Sequence, residues 1–167
     1  MALINEFVEY IRSILHYDAE TGLFTWKVNR LRARIGNVAG TMNRRLGYVV
    51  LNIDGKVYYL HRLVWVWLYG HWPAGEIDHI NGNAADNRLC NLRDVSHSQN
   101  LCNQKLSEVN SSGVKGVSWC NRDQKWRVQV AKNGKNVVDK YFDNFELAEL
   151  VAEEGRELYH GEFARSA

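Results

Sequence analysis

EIDHINGNAADNRLCNLRDVSHSQN, residues 76–100, is the stretch on which the reading of this chain turns. An Asp-His pair, a run of Asn residues and a closing Asn fall in sequence that is otherwise loop-like. Either this is a polar turn region rich in Asn, or these side chains converge on something. Asn81, Asn83, Asp86 and Asn87 read as turn residues that fix a loop through side-chain to backbone bonds. Asp78, His79 and Asn100 do not fit that role and have to be weighed against the rest of the chain.

At 167 residues the chain is long enough for one ordinary domain or two small ones, each short of core by itself. Six Trp and eight Tyr within a 46% hydrophobic composition supply large rigid groups with which modest cores are filled. There is no run of eighteen apolar residues, and MALINEFVEYIRSILHYDAE (1–20) carries acids where a signal peptide needs a basic start. The expectation is a soluble cytoplasmic protein with no membrane partner. Cys90, Cys102 and Cys120 are odd in number and widely spaced, which excludes a disulfide framework and a zinc knuckle and leaves free thiols.

The net charge of +2 hides a division along the chain. Residues 101–142 carry 8 basic and 3 acidic groups, and residues 143–167 carry 2 and 7. Between Lys27 and Arg45 stand six basic residues and no acid. That is a patch to which phosphate backbones are attracted, or a loop kept solvated by its charge.

Turn signals organise the rest. GLFTWKV (22–28) and GYVVLNI (47–53) read as strands, and Asp54-Gly55 joins the second to KVYYL (56–60) as a hairpin. HRLVWVWLYG (61–70) is apolar nearly all round and predicts a buried helix, with Trp65, Trp67 and Trp72 in the core. Ser96 is an N-cap for a short helix. The polar run 106–113 is the expected linker between residues 1–105 and 114–163. Beyond it, residues 117–142 alternate with period two around Asn133-Gly134, giving a hairpin preceded by a short strand. A helix follows over 145–159 with Leu147, Ala148, Leu150, Val151 and Leu158 on its apolar face. Trp126, Val128 and Val130 share one side of the sheet. Lys125, Arg127 and Gln129 share the other, a free basic face suited to a DNA groove. The fold class is α+β.

Cutting a phosphodiester needs a nucleophilic water, a group to take its proton, and positive charge on the oxygens that become negative. His79 can be the base. Asp78 and the amide oxygen of Asn100 are donors that suit a hard divalent cation. Neighbouring side chains on a strand point to opposite faces, so Asp78 and His79 share a site only where the chain bends or the strand ends. Asn81-Gly82 permits such a bend.

With these residues in view, IDHINGN, DNRLCNLR and QN resemble the HNH nuclease motif in the form carried by phage homing endonucleases. YDAETGLFTWK and YLHRLVWVWLYGHWPAGE are similar to the lead-in of that group. The segment from SGVKGVSWCNRDQKWRVQV to YFDNFELAELVAEEGRELYHG resembles the Apetala-type (ethylene-response-factor-like) DNA-binding domain, three strands and a helix. The likeness spans about residues 17–163. It implies a ββα-metal nuclease module with Asp78 and Asn100 as metal ligands, His79 as general base and Asn91 tying the loop that orients it. Asn100 stands where the last His of the motif name is expected, which favours one Mg2+ or Mn2+ ion over zinc. By the same likeness the chain is a homing-type endonuclease acting on double-stranded DNA, a monomer without a small-molecule cofactor, working in a phage-infected bacterial cell. Arg122, Lys125, Arg127 and Gln129 are the expected DNA contacts of the C-terminal sheet.

Other readings stand beside these. Arg93 can clamp phosphate or be a surface charge. His61 and His97 can approach phosphate, or cap and pack at a helix start. Trp119 and Trp126 can stack on bases or lie under the helix. The alternative function is a DNA-binding regulator with an inactive nuclease module. An RNA-binding module would leave the Asp78, His79 and Asn100 set unexplained.

Overall fold

The structure is a computed structural model that describes residues 2–107 and 109–164. By contacts the chain divides into two compact units, Met1–Val95 and Ser96–Ala167. The second unit therefore begins at the cap of a short helix, ahead of the polar run 106–113, which includes Glu108 outside the described residues. Among the described residues no helix is long and apolar enough to cross a membrane.

The first unit opens with α1 (Ala2–Ile14), for which the sequence reading gave no element. Its logic is visible afterwards: Val8, Ile11 and Ile14 are buried, and Ile4 and Phe7 pack beside them at helical spacing. The strands β1 (Leu15–Asp18), β2 (Leu23–Trp26) and β3 (Val38–Ala39) form one antiparallel sheet. A second sheet holds β4 (Thr41–Asn43), β5 (Tyr48–Ile53) and β6 (Lys56–Tyr59). The hairpin joining β5 and β6 turns at Asp54 (φ 51°) and Gly55 (φ 84°), as the Asp-Gly pair predicts. The helix α2 (Leu60–Tyr69) buries Leu60, Leu63, Val64 and Val66 in the core against Phe24 and Leu15, and stops at Gly70 in the left-handed region. Trp65 and Trp67 are half-buried. Trp72 departs from its expected place in the core: it lies exposed and stacks on Phe7 and Tyr58.

The opening stretch is less loop-like than it reads. Glu76–His79 form β7 and Leu92–Val95 form β8, an antiparallel pair that places Asp78 opposite Arg93 and His79 opposite Leu92.

In the second unit α3 (His97–Cys102) is followed by an antiparallel sheet of β9 (Val117–Cys120), β10 (Lys125–Lys132) and β11 (Lys135–Phe142), covered by α4 (Phe145–His160). Val117, Val128 and Val130 are buried, as period two predicts. The face that α4 presents corrects the sequence expectation. Ala148, Ala152 and Gly155 are the buried positions besides Arg156, whereas Leu147, Leu150 and Leu158 are exposed. The small residues let the helix lie close to the sheet: a Cβ on Gly155 would meet the Val130 and Val138 methyl groups at 3.1 and 3.3 Å.

Candidate active site

Asp78 and His79 come together with one loop because His79 is the last residue of β7. The strand-end condition set by side-chain alternation is thus met. The loop 80–91 that follows is held by its own polar groups. Asn91, 5% exposed, accepts from the Asn81 N–H at 2.9 Å through Oδ1 and donates through Nδ2 to the Asp86 carbonyl at 2.8 Å. Asn81 donates to the Asp86 carboxylate, and Asn81 and Asn83 cap the turn through side-chain to backbone bonds. Arg88 grips Asp86 with Nε and Nη2 at 2.8 and 2.6 Å, and holds its carboxyl at about 2. Most of the Asn-rich run therefore does the loop-fixing work expected of it.

Asn87 does more. Its Oδ1 lies 3.4 Å from His79 Nε2. An amide oxygen only accepts, so the shared proton sits on Nε2. Asn87 is buried to 2% exposure and is located from outside the loop as well, since the Tyr17 hydroxyl donates to its carbonyl at 2.9 Å. The turn at Gly22 (φ 72°) presses so close to the backbone of Asn87 and Arg88 that a Cβ there would fall 2.4 Å from Arg88 N. Thus β1 and β2, far away in sequence, fix the partner of His79.

His79 is buried, and desolvation lowers its pKa against the opposing pull of Asn87, Asp78 and Asp86. The neutral imidazole favoured at neutral pH is the form a proton acceptor needs. Its ring meets a second imidazole, His61, edge to face at a centroid distance of 5.2 Å and 88°. His61 is 7% exposed, its Nδ1 has no hydrogen-bond partner among the described residues, and burial pushes its pKa down to about 3. Tyr48 packs against both rings, at 5.2 Å from His61 and 5.9 Å from His79. His61 thus belongs to the surroundings of His79. Sequence reasoning treated it as a cap or surface group and set Asn87 among plain turn residues. The available signal for His61 was an imidazole at the start of an otherwise apolar helix.

Asp78 is 6% exposed and its Oδ2 receives both Nε and Nη2 of Arg93 at 2.8 Å. Arg93 is therefore a partner of Asp78 as well as a positive charge at the site. Breaking so buried a pair from one side is costly. Among the described residues no group of three or more His, Cys, Asp or Glu side chains is placed to hold a metal ion. A carboxylate and an amide oxygen fit an ion of the magnesium type, which keeps several waters and takes further oxygens from substrate phosphates.

Asn100 lies in the second unit, on α3, whose six residues start from a capping box formed by Ser96 and Gln99. So short a helix is marginal without support. Lys115 gives some by donating to the carbonyls of Cys102 and Gln104, each at 2.7 Å, and Ser98 Oγ accepts from the Asn133 N–H at 3.0 Å.

The expected DNA-binding side chains of the second unit carry acidic partners. Arg127 forms a two-pronged pair with Asp139 (2.8 and 2.7 Å) and lies over Tyr141. Lys125 reaches Asp143 at 3.2 Å, and Arg122 grips Asp123. The outer face is therefore less purely basic than strand alternation alone implies. Trp126 lies under the helix against Phe145, while Trp119 is 39% exposed at its edge.

Residues 58–102 match the HNH endonuclease family. The chain is 39% identical over 106 residues to Protein 3.8 of Escherichia phage T7, an alignment that spans 63% of this chain and 87% of that protein. No solved structure matches.

Proposed function

The chain belongs to the family of phage T7 Protein 3.8 and carries an HNH endonuclease domain over residues 58–102, and from that premise we propose that it is a metal-dependent endonuclease hydrolysing phosphodiester bonds in double-stranded DNA. The observation that carries the reading is the buried His79 at the end of β7, oriented by Asn87 and set beside an Asp78 carboxylate fixed by Arg93.

His79 takes the proton of the attacking water. Asn91 holds the loop that presents Asn87, so it acts on His79 at one remove. Asp78 and Asn100 hold one Mg2+ or Mn2+ ion, an assignment that rests on the sequence likeness and on a family match covering both positions. When bound, the ion supplies positive charge to the phosphate oxygens that become negative. Arg93 aims the Asp78 carboxylate through its paired N–H groups. The products are a 5′-phosphate and a 3′-hydroxyl. The reading extends to an enzyme of homing type, a monomer acting inside an infected bacterial cell, with an Apetala-type C-terminal module. That module contacts DNA through Arg122, Lys125, Arg127 and Gln129 once their acidic partners yield to phosphate.

Cleavage of supercoiled plasmid with added Mg2+, and its loss on adding EDTA, is the direct test. Undiminished cutting after exhaustive chelation would remove the metal from the reaction. No cutting under either metal would remove the nuclease reading.

A further inference from the structure

Two turns of the first unit repeat one arrangement: RLRAR at 30–34 and RRLG at 44–47 each place a leucine among arginines. In the first, Arg30 and Ala33 form an antiparallel bridge, with the N–H of each donating to the carbonyl of the other at 2.9 and 3.3 Å. Leu31 and Arg32 are therefore the tip of a two-residue turn. Leu31 is 100% exposed.

This tip is fastened at its base. The Arg30 guanidinium lies 5.2 Å over the Trp26 ring, pairs with the Asp54 carboxylate and donates to the Tyr10 hydroxyl at 3.1 Å. Asn29 Oδ1 accepts from the Ile35 N–H at 3.2 Å. Leu31 is thus held out by a braced turn and forgoes the burial that stabilises most leucines.

A lone surface leucine would need no explanation. Here Ile35 is 60% and Val38 56% exposed inside the segment 27–45, which holds six basic residues and no acid, and Leu46, the next residue after it, is 47% exposed. Moreover, the guanidiniums of Arg32, Arg34, Arg44 and Arg45 make no ion pair or hydrogen bond with any described residue. Arg122, Lys125 and Arg127 of the second unit are each paired with an Asp. Four guanidiniums without an acidic partner among the described residues therefore share the first unit with Leu31, the most exposed leucine of those residues. An apolar side chain flanked by guanidiniums is complementary to the DNA minor groove, which is strongly negative and whose base steps open to leucine-sized wedges.

We propose that Leu31 is a wedge inserted between base pairs from the minor groove, with Arg32 and Arg34 on the flanking phosphates and the 44–47 turn making a further backbone contact. The proposal rests on the reading of this chain as a DNA endonuclease, and deepens it by naming how the duplex is distorted.

The test uses the full-length chain with His79→Ala, in EDTA, and a short AT-rich duplex carrying 2-aminopurine at several steps. Binding should raise 2-aminopurine fluorescence as bases unstack. Leu31→Ala should remove that rise and weaken binding about tenfold, with the salt dependence unchanged. Leu31→Met should restore the rise, which a general loss of folding would not allow. Arg32→Ala and Arg34→Ala should keep the rise and each lower the slope of log K against log salt by about 1. A wild-type rise in Leu31→Ala overturns the wedge, and so does binding of this tip to anionic lipid vesicles in preference to the duplex. Plasmid cleavage by the unmutated chain, run in parallel, separates the two readings: cutting without unstacking overturns the wedge alone, and unstacking without cutting overturns the nuclease alone.

Discussion

Replacing Asn91 by Ala removes both hydrogen bonds that close the loop after β7, and the structure allows the cost to be worked out. The Asn81 N–H loses its acceptor, but Asn81 is exposed and water can take over, so that loss is about 0.5–1 kcal/mol. The Asp86 carbonyl loses its donor at 2.8 Å in a part-buried position, which costs about 1–2 kcal/mol when a polar group is left unsatisfied. The sum is about 2 kcal/mol. For a unit of this size that lowers the melting midpoint by roughly 8–16 °C. The loop keeps its other ties, among them Gly82 N–H to His79 O and the Asn81–Asp86 bond, so the variant should still fold. Because the loop also carries Asn87 to His79, kcat for plasmid cleavage should fall well below wild type at a temperature where the variant is fully folded, with KM little changed. Thermal melting followed by circular dichroism, paired with cleavage kinetics, reads both quantities. A midpoint within a few degrees of wild type together with wild-type kcat would refute the view that Asn91 holds this loop.

Three further outcomes are expected. His79→Ala should lower the cleavage rate by about a hundredfold to ten-thousandfold while leaving DNA affinity nearly unchanged; a variant cutting at wild-type rate would take His79 out of the chemistry. His61 has a folded pKa of about 3 against 6.5 for the free side chain, so between those values the unfolded chain binds a proton that the folded one does not. Stability should therefore fall as pH drops through this window, by at most about 1.4 kcal/mol per pH unit from this group. His61→Phe should flatten the slope of urea-derived stability between pH 6.5 and 4.5, and an unchanged slope would contradict the burial argument. Gly155→Leu should destabilise the second unit by about 1–3 kcal/mol through overpacking against Val130 and Val138, whereas Leu150→Ala on the exposed side of α4 should leave the melting midpoint nearly unmoved.

How far the sequence could be read depended on whether local pattern or distant packing decides a residue's place. The hairpin turns at Asp54-Gly55 and Asn133-Gly134, the stop of α2 at Gly70 and the cap at Ser96 were legible because each is set within a few residues. The packing face of α4 was not. Leucines dominate a hydrophobic periodicity, yet close approach to the sheet selects Ala152 and Gly155 beside the expected Ala148, and leaves Leu147, Leu150 and Leu158 exposed. The short strands β3 and β4 were missed because two or three residues carry too little alternation to count. At the candidate site, Asp78 and His79 stood out by residue type and position, and Asn91 through the resemblance to the HNH motif. Asn87 and His61 acquire their places through Tyr17, Gly22 and Tyr48, from strands whose return to this loop no local pattern announces.

The short helix α3 bears on how such a chain could be recombined. The family match runs through Cys102, yet the helix takes its hydrogen bonds from Lys115 and from the β10–β11 turn at Asn133. A graft that joins residues 1–105 to a foreign C-terminal module would transplant the helix without its socket. The replacement module would need an equivalent ammonium and a turn N–H at the same places. Exchange of parts between relatives should therefore tolerate a seam ahead of Ser96 better than one in the polar run 106–113, although the latter looks like the natural place to cut.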